Sequence, residues 1–231
     1  MPAFYIREFL DNRYAKIEGD DFFHIKKSLR KKRGDELICF DKLNKYFCKI
    51  VKIEKKFILV EIIKKERIKE RKKEINLFVG LINLPKFDEV VRYVSALNVT
   101  SLTPIVTEYT QQNLAISKNR EKRWEKIIYE ESKQSHNFQF LKIKNILKFE
   151  NVLQMDGINI LFHPSGGVYK KIDNNKRINL FIGPEGGFSN KEIKVAKRNN
   201  FYIMKLPFDT ILRTEVAVIT AIGFLKGKYG I

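Results

Sequence analysis

Two kinds of apolar pattern divide the chain. In the first third, short runs rich in β-branched and aromatic residues alternate with polar turns, at Glu36–Phe40, Tyr46–Ile53 and Phe57–Ile63. Runs of this length and composition predict β-strands, and their close spacing favours a small barrel. Just before them, His24–Arg33 has apolar residues four positions apart, which predicts one helix with a basic outer face.

The rest of the chain alternates continuous apolar runs with helical patterns. A continuous apolar run is typical of a strand buried on both faces, and apolar residues three and four positions apart are typical of a helix. The predicted strands are Leu77–Ile82, Leu102–Val106, Ile158–Phe162, Ile178–Ile182 and Tyr202–Leu206, and the predicted helices are Phe87–Leu97, Lys118–Ser135, Ser189–Asn199 and Thr214–Leu225. This order predicts an α/β fold with an open, mostly parallel sheet and helices on both faces.

A charged segment, Lys64–Lys73, separates the two patterns. It carries a charge at nearly every position, and we expect it to be a linker. The sequence therefore predicts two domains, a small β-barrel at residues 1–72 and an α/β domain at residues 73–231.

Charge indicates the kind of partner. The net charge is +18, from 45 Lys and Arg against 27 Asp and Glu. An excess of this size favours nucleic acid first and an anionic membrane surface second, although an AT-rich genome, which raises the content of Lys and Asn, is an alternative explanation. The first 73 residues carry more than half of this excess. Their basic stretch Lys26–Arg33 favours contacts to RNA, although a basic face exposed only to solvent is the alternative. The candidates for RNA contacts are Lys26, Lys27, Arg30, Lys31, Lys32 and Arg33.

Other classes of protein are disfavoured. Cys39 and Cys48 form no C-x-x-C pair and have no histidine cluster beside them, so we expect buried thiols and no metal site. Charges come too early in the N-terminal sequence for a signal peptide. Because no apolar run reaches the roughly 18 residues of a membrane span, we expect a soluble, cytoplasmic protein without a membrane partner.

The first chemical motif is Gly183–Glu192, with the sequence GPEGGFSNKE directly after a predicted strand. Glycines at the carboxyl end of a strand let the backbone approach a ligand closely, and open α/β sheets bind ligands at that edge. An ordinary turn is the alternative, although three glycines, a proline and a glutamate exceed what such a turn needs. Neither phosphate-loop pattern, G-x-x-x-x-G-K-[ST] or G-x-G-x-x-G, is present, which disfavours nucleotide triphosphatases and dinucleotide enzymes.

The second motif is Leu206–Ala217, which contains ILRTE at Ile211–Glu215. It places Arg213 and Glu215 at the start of a helix that is apolar on nearly every side. Charges beside a buried helix need partners or a function. An Arg–Glu pair that only caps the helix is an equally good explanation of this motif taken alone.

Together the two motifs resemble the RsmE family, the 16S rRNA (uracil-N3) methyltransferases of the SPOUT superfamily. The resemblance extends over most of the chain. Further similar stretches are Arg123–Ile127 with Gln134 and Ser135, Thr103 and Pro104 with Glu108, Phe162–Pro164, and Arg30 with Asp35–Asp41.

The resemblance implies the fold and the partners. It implies an N-terminal PUA-like β-barrel that binds RNA, followed along the sequence by a C-terminal SPOUT domain with a trefoil knot. It also implies S-adenosylmethionine as cofactor, 16S rRNA of the small ribosomal subunit as substrate, and a homodimer joined through Thr214–Leu225.

The resemblance also implies the site residues. The cofactor would be bound by Phe162, His163, Pro164, Gly183, Pro184, Glu185, Gly187, Leu206, Ile211, Leu212, Arg213, Thr214 and Ala217. As a hypothesis for catalysis, Arg213 orients the uracil or stabilises its anion. Glu185 or Glu215 then fixes Arg213 or accepts the proton.

Five residues depart from the family pattern. Tyr93, Ala96 and Asn98 replace a Lys, a Glu and a Gly, and Tyr109 and Asn137 each replace an Arg. The cofactor segments are kept, whereas several residues expected to face RNA have changed. Two other functions therefore stay open: a SPOUT enzyme that methylates a ribose 2′-hydroxyl, and a non-catalytic RNA-binding factor of ribosome assembly.

Overall fold

The structure is a computed structural model that describes residues 3–71, 73–110, 116–168 and 177–230. The chain forms two compact units. The first contains Met1–Glu70 and Glu130–Gln139, and the second contains Arg71–Tyr129 and Phe140–Ile231.

The first unit is built on a six-stranded sheet. Its strands are β1 Ala3–Tyr5, β2 Glu8–Phe9, β3 Tyr14–Glu18, β4 Glu36–Phe40, β5 Asn44–Ile53 and β6 Phe57–Arg67, in the order β1-β4-β5-β6-β3-β2. Side chains from the first and the fifth strand of this order, Phe4 of β1 and Ala15 of β3, lie in one buried cluster with Cys39 and Cys48. The three strands expected from the sequence are confirmed as β4, β5 and β6, and both thiols are buried and unbridged.

The helix predicted at His24–Arg33 is wrong at both ends. Helix α1 spans Gly19–Phe23, and a π-helical turn continues it through His24–Ser28. The helix stops there because Arg30 has a φ of 51°, in the left-handed region that an α-helix does not use. Ile25 is fully buried as expected, which shows that the apolar spacing identified the inner face but not the ends.

The segment Glu130–Gln139 is held in the first unit by two contacts. Lys133 donates from Nζ to Asp21 Oδ1 at 2.7 Å, and both side chains are buried. Phe138 stacks on Phe40 with ring centroids 4.6 Å apart. Sequence periodicity contains no sign of these contacts, because they join residues about a hundred positions apart.

The second unit contains a seven-stranded sheet in which every pairing is parallel. Its strands are β7 Glu74–Gly80, β8 Ser101–Val106, β9 Lys142–Ile143, β10 Leu147–Lys148, β11 Ile158–Gly167, β12 Arg177–Ile182 and β13 Tyr202–Met204. Its helices are α2 Leu84–Ala96, α3 Lys118–Ser135 (of which Glu130–Ser135 is grouped with the first unit), α4 Asn190–Arg198 and α5 Thr214–Tyr229. The sheet order is β10-β8-β7-β12-β11-β13, with β9 beside β8, and the expected parallel α/β fold is confirmed.

Both faces of this sheet are covered. Along β12, Leu180 and Ile182 belong to a core cluster shared with α2, α3 and α5, whereas Phe181 belongs to a second cluster shared with α4. Phe78 of β7 stacks on Phe181 with ring centroids 4.5 Å apart. Because consecutive side chains are buried on opposite faces, apolar residues occupy consecutive positions in these strands rather than every second one.

Two strand ends differ from the sequence prediction at the edge that matters for function. Strand β11 continues beyond Phe162 to Gly167, and its register on β13 shifts between these two residues. Pro164 is tolerated in the strand because the irregularity removes the ladder hydrogen bond that a proline cannot donate. Strand β13 ends at Met204, two residues before Leu206.

Candidate active site

Three adjacent strands bring the three expected cofactor segments to one edge of the sheet. Phe162 of β11 lies level with Ile182 of β12 and with Met204 of β13. Because the strands are parallel, the residues that follow these positions share the carboxyl edge. The structure therefore brings together Phe162–Pro164, Gly183–Gly187 and the segment that begins at Leu206, as the sequence predicted.

The glycine loop after β12 folds back on itself. A Cβ on Gly183 would lie 2.7 Å from the carbonyl carbon of Gly187 and 2.8 Å from its Cα, so no larger residue fits there. Gly187 donates its amide to Pro184 O at 2.8 Å and has a φ of 71°. Nothing lies within 4 Å of a Cβ built on Gly187. The loop thus presents bare backbone to open space at this point.

A third glycine, which the sequence reading did not single out, supports the loop from the neighbouring strand. A Cβ on Gly80, the last residue of β7, would overlap the ring and nitrogen of Pro184. The signal was present, because Gly80 ends a buried strand just as Gly183 follows one.

The start of α5 is tied to the same loop. Thr214 Oγ1 donates to Gly183 O at 3.2 Å, and the Thr214 side chain is buried. Glu215 is 7% exposed, and within the described residues its Oε2 has no hydrogen-bond partner. A buried carboxylate oxygen without a partner is costly, so Glu215 is the strongest indication of a ligand at this edge.

No ion pair within the described residues supports the hypothesis that Glu185 or Glu215 fixes Arg213. Arg213 is exposed at the residue that precedes α5, and no ion pair joins it to Glu185 or Glu215 in the part of the chain that the structure describes. Glu185 instead pairs with Lys86 at 3.1 Å. Lys86 lies in the first turn of α2, a residue that the sequence reading missed because it began this helix at Phe87.

Glu192 connects two loops at this edge. The predicted capping box is confirmed, since Ser189 accepts from the Glu192 amide at 3.2 Å and donates its own amide to Glu192 Oε2 at 2.8 Å. The other oxygen, Oε1, accepts from the amide of Glu108 at 2.9 Å. The loop after β8 is therefore anchored to the helix that follows the glycine loop.

His163 lies half-buried on β11. Its Nδ1 accepts from the backbone amide of Ser165 at 3.1 Å and lies 2.8 Å from the Ser165 hydroxyl. Burial lowers the pKa of His163 from its ordinary value, because it disfavours the charged imidazolium. Both effects favour a neutral ring near pH 7.

The remaining expected cofactor residues differ in exposure. Phe162, Gly183, Pro184 and Thr214 are buried, whereas Ile211 is 89% exposed. The half-buried residues are His163, Gly187, Leu206, Leu212 and Ala217, and the exposed ones are Pro164, Glu185 and Arg213.

The basic candidates of the first unit separate into two groups. Lys31, Lys32 and Arg33 line a groove of about 420 Å³ with an apolar floor of Val51, Ile53 and Leu59, and Lys52 completes its wall. Lys26 and Lys27 instead lie over the rings of Phe22 and Phe23, each at 5.3 Å. Arg30 is exposed and lies outside the lining of this groove.

The stretch Arg123–Ile127 has a structural explanation. Buried Asp88 of α2 accepts from Arg120 Nη1 and Arg123 Nε, each at 2.6 Å, and from Trp124 Nε1 at 2.8 Å. These bonds fix α3 to α2, so the motif does not by itself indicate RNA contact.

Within the described residues, no group of three or more His, Cys, Asp or Glu side chains is placed to hold a metal ion. No helix there has the length and apolar character that crossing a membrane requires.

Comparison with known families defines the class of protein. A family model for an RNA methyltransferase PUA domain matches residues 17–63, and one for an RNA methyltransferase domain matches residues 69–226. The chain therefore consists of a PUA domain followed along the sequence by an RNA methyltransferase domain, as the sequence motifs implied.

Full-length relatives identify the family more closely. The chain is 31% identical to ribosomal RNA small subunit methyltransferase E of Buchnera aphidicola subsp. Schizaphis graminum, over 100% of this chain and 97% of the relative. It is 29% identical to the Aquifex aeolicus protein of the same name, over 97% and 99%. It belongs to the ribosomal RNA small subunit methyltransferase E family. The Neisseria gonorrhoeae enzyme of this name, solved with S-adenosyl methionine, has the same fold, with a TM-score of 0.84 at 21% identity over 99% of this chain and 98% of that one.

Proposed function

We propose that the protein transfers a methyl group from S-adenosylmethionine to N3 of a uridine in 16S rRNA of the small ribosomal subunit. One observation carries this proposal. The carboxyl edge of a parallel sheet presents the bare backbone of Gly187, and α5 begins there with Glu215, whose buried Oε2 has no hydrogen-bond partner within the described residues. Family membership supports the same activity.

The residues at this edge fit the cofactor. The open space beside Gly187 lets backbone atoms contact a ligand directly, and the free Oε2 of Glu215 is an acceptor for a donor group of that ligand. Half-buried Leu206, Leu212 and Ala217 supply apolar contacts. When bound, S-adenosylmethionine supplies an electrophilic methyl group on its sulfonium.

The chain's own residues then act on the uracil. N3 of uracil carries a proton that must leave before the nitrogen can attack a methyl group. Arg213, exposed at the start of α5, orients the base and stabilises the anion that deprotonation creates. Glu215 accepts the proton or orients the cofactor, and Glu185, paired with Lys86, holds the outer side of the glycine loop.

The first unit supplies RNA affinity. N3 lies on the Watson–Crick edge of uracil, so the target must be unpaired or flipped out. Lys31, Lys32 and Arg33 make no side-chain ion pair within the described residues and line one groove, which suits contacts to phosphates. We therefore assign residues 1–72 to RNA binding and residues 73–231 to methyl transfer. Because the substrate is ribosomal RNA, we expect the protein in the cytoplasm.

A homodimer is part of the proposal. Val216 of α5 is 42% exposed, and Phe208 and Ile211 in the segment before it are 53% and 89% exposed. An apolar group of this kind is typical of an interface, and a second copy joined through α5 would cover it. The trefoil knot stays a prediction from the family resemblance.

The decisive experiment is to delete the gene and map 16S rRNA by primer extension, because N3 methylation stops reverse transcriptase. We expect one stop to disappear and to return with the wild-type gene. Mass spectrometry of the nucleoside distinguishes 3-methyluridine from a 2′-O-methyl product. If calorimetry detects no binding of S-adenosylmethionine, the protein is a non-catalytic RNA-binding factor and the proposal is wrong.

The role of Arg213 has its own test. We expect Arg213→Ala to lower kcat about 100-fold or more while cofactor binding persists, since a donor aimed at developing charge contributes roughly this factor. Arg177→Ala is the matched control, because Arg177 is exposed at the opposite end of β12 and, within the described residues, its side chain pairs with Glu74 alone. Near wild-type turnover of Arg213→Ala would exclude this role.

A further inference from the structure

Tyr109 lies directly against the glycine loop. The Cβ, Cγ and Cδ2 atoms of its side chain would be 2.9, 3.2 and 3.3 Å from a Cβ built on Gly186. Any larger residue at position 186 would therefore displace the ring. The side chain is 51% exposed, so about half of its surface remains open. An aromatic side chain thus lies beside the backbone that we assign to cofactor binding.

The backbone beneath this ring is fixed by hydrogen bonds. Thr107 and Thr110 close the turn around Tyr109, with the Thr110 amide donating to Thr107 O at 3.1 Å and the Thr107 amide donating to Thr110 Oγ1 at 2.9 Å. The preceding residue, Glu108, donates its amide to Glu192. A ring on so well-anchored a turn is in place before any ligand arrives, which lowers the entropy cost of contacting it.

The chemistry of the target indicates what such a ring contacts. A uracil that is flipped out of an RNA helix no longer stacks on its neighbouring bases, and enzymes replace this interaction with stacking on a flat side chain. Aromatic side chains serve as this surface because every base has a π-face. Tyr109 is neutral and half-exposed at the edge where the methyl group is transferred, and so is suited to stacking rather than to a phosphate contact.

We propose that Tyr109 is a substrate-binding residue on which the target uracil stacks next to the glycine loop. This inference rests on the proposed function, since it places the base at the same sheet edge. The residue differs from the Arg that the family resemblance leads one to expect at this position. At this position the chain therefore has an aromatic ring where the resemblance leads one to expect a guanidinium.

Steady-state methylation of small-subunit RNA by Tyr109→Leu and Tyr109→Phe tests the proposal. Loss of a stacked ring should raise KM for RNA roughly 5-fold to 150-fold, whereas Phe keeps the ring and should change it less than about 2-fold. The dissociation constant of S-adenosylmethionine, measured by calorimetry, should stay within about 2-fold for both variants. A Leu variant with wild-type KM, or one that loses cofactor affinity instead, would overturn the proposal.

A second measurement does not depend on turnover. An RNA fragment that carries 5-iodouridine at the mapped position is irradiated with the wild-type protein, and the cross-linked residue is identified by mass spectrometry. A cross-link at Tyr109 supports stacking, and one found only elsewhere contradicts it. If the wild-type protein binds no S-adenosylmethionine, the proposed methyl transfer fails; if it methylates the RNA but cross-links only through other residues, the stacking on Tyr109 alone is wrong.

Discussion

Replacement of Asp88 by Ala should destabilise the second unit by about 3 kcal/mol. Asp88 is buried and accepts three hydrogen bonds, so the change leaves three donors without their acceptor. The buried Trp124 indole loses its partner at a cost of about 1 to 3 kcal/mol. The side chains of Arg120 and Arg123 are 23% and 62% exposed and can turn to water, so their loss adds about 1 kcal/mol together.

Urea unfolding followed by tryptophan fluorescence measures this loss of stability directly, because Trp124 is the only tryptophan in the chain and is itself one of the three hydrogen-bond donors. The matched control is Glu74→Ala, which removes a salt bridge to Arg177 whose side chains are about half exposed. It should cost less than about 1 kcal/mol. Asp88→Asn keeps the size of the side chain and should fall between the two variants.

The explanation of Asp88 as a structural residue also makes a kinetic prediction. At a temperature where Asp88→Ala remains folded, its kcat should stay within about 2-fold of the wild type, because the carboxylate contacts only α3. If the urea midpoint moved no further than that of Glu74→Ala, the three hydrogen bonds would not carry the stability assigned to them. A selective fall in kcat with unchanged stability would place the Arg123 motif in catalysis instead.

Three further outcomes follow from the site. Glu215→Gln should leave the urea midpoint unchanged or raise it in the absence of cofactor, because the substitution removes a buried charge whose Oε2 has no hydrogen-bond partner within the described residues, while methyl transfer falls about 10-fold or more; a fall in both quantities would mean that Glu215 is structural. Gly80→Ala should destabilise the second unit by about 1 to 3 kcal/mol and weaken cofactor binding in calorimetry, because its Cβ would overlap Pro184. The control Gly227→Ala, in open space on α5, should be neutral or stabilising. The pKa of His163 lies below the ordinary 6.5, so on acidification the unfolded chain binds this proton first, and stability should fall as the pH drops through about 6.5. An NMR titration should place the midpoint of His163 below the ordinary 6.5, and a midpoint above 6.5 would refute the assignment.

The sequence predicted the parallel sheet well, because strands that are buried on both faces are recognisable as runs of mostly apolar residues. The strand Ile178–Ile182 is apolar at every position except Asn179, and the capping box at Ser189 marks the start of α4 from local residues alone. The short strands β1, β2 and β3 were missed, since two to five residues carry too little pattern to separate a strand from a loop.

The site was only partly predictable, for a different reason. The glycines and the proline predicted the position of the glycine loop, because they reflect backbone requirements that are local in sequence. The partners of charged side chains are not local. Lys86 pairs with Glu185 across 99 positions, and the amide of Glu108 donates to Glu192 across 84 positions. Such pairings follow from the strand order, which periodicity does not determine.

The order of the strands along the chain also constrains how the protein is made. Strand β7 lies between β8 and β12, yet Arg177 of β12 bonds to Glu74 across 103 residues. Buried side chains of α5, including Leu225, complete the core only at the end of the chain. A ribosome must therefore synthesise β12 and α5 before the second unit can fold completely, and until β12 is made the central strand β7 has an unpaired edge. Since the three segments proposed to bind the cofactor all lie after residue 161, a nascent chain that ends before them has no methyl-transfer site.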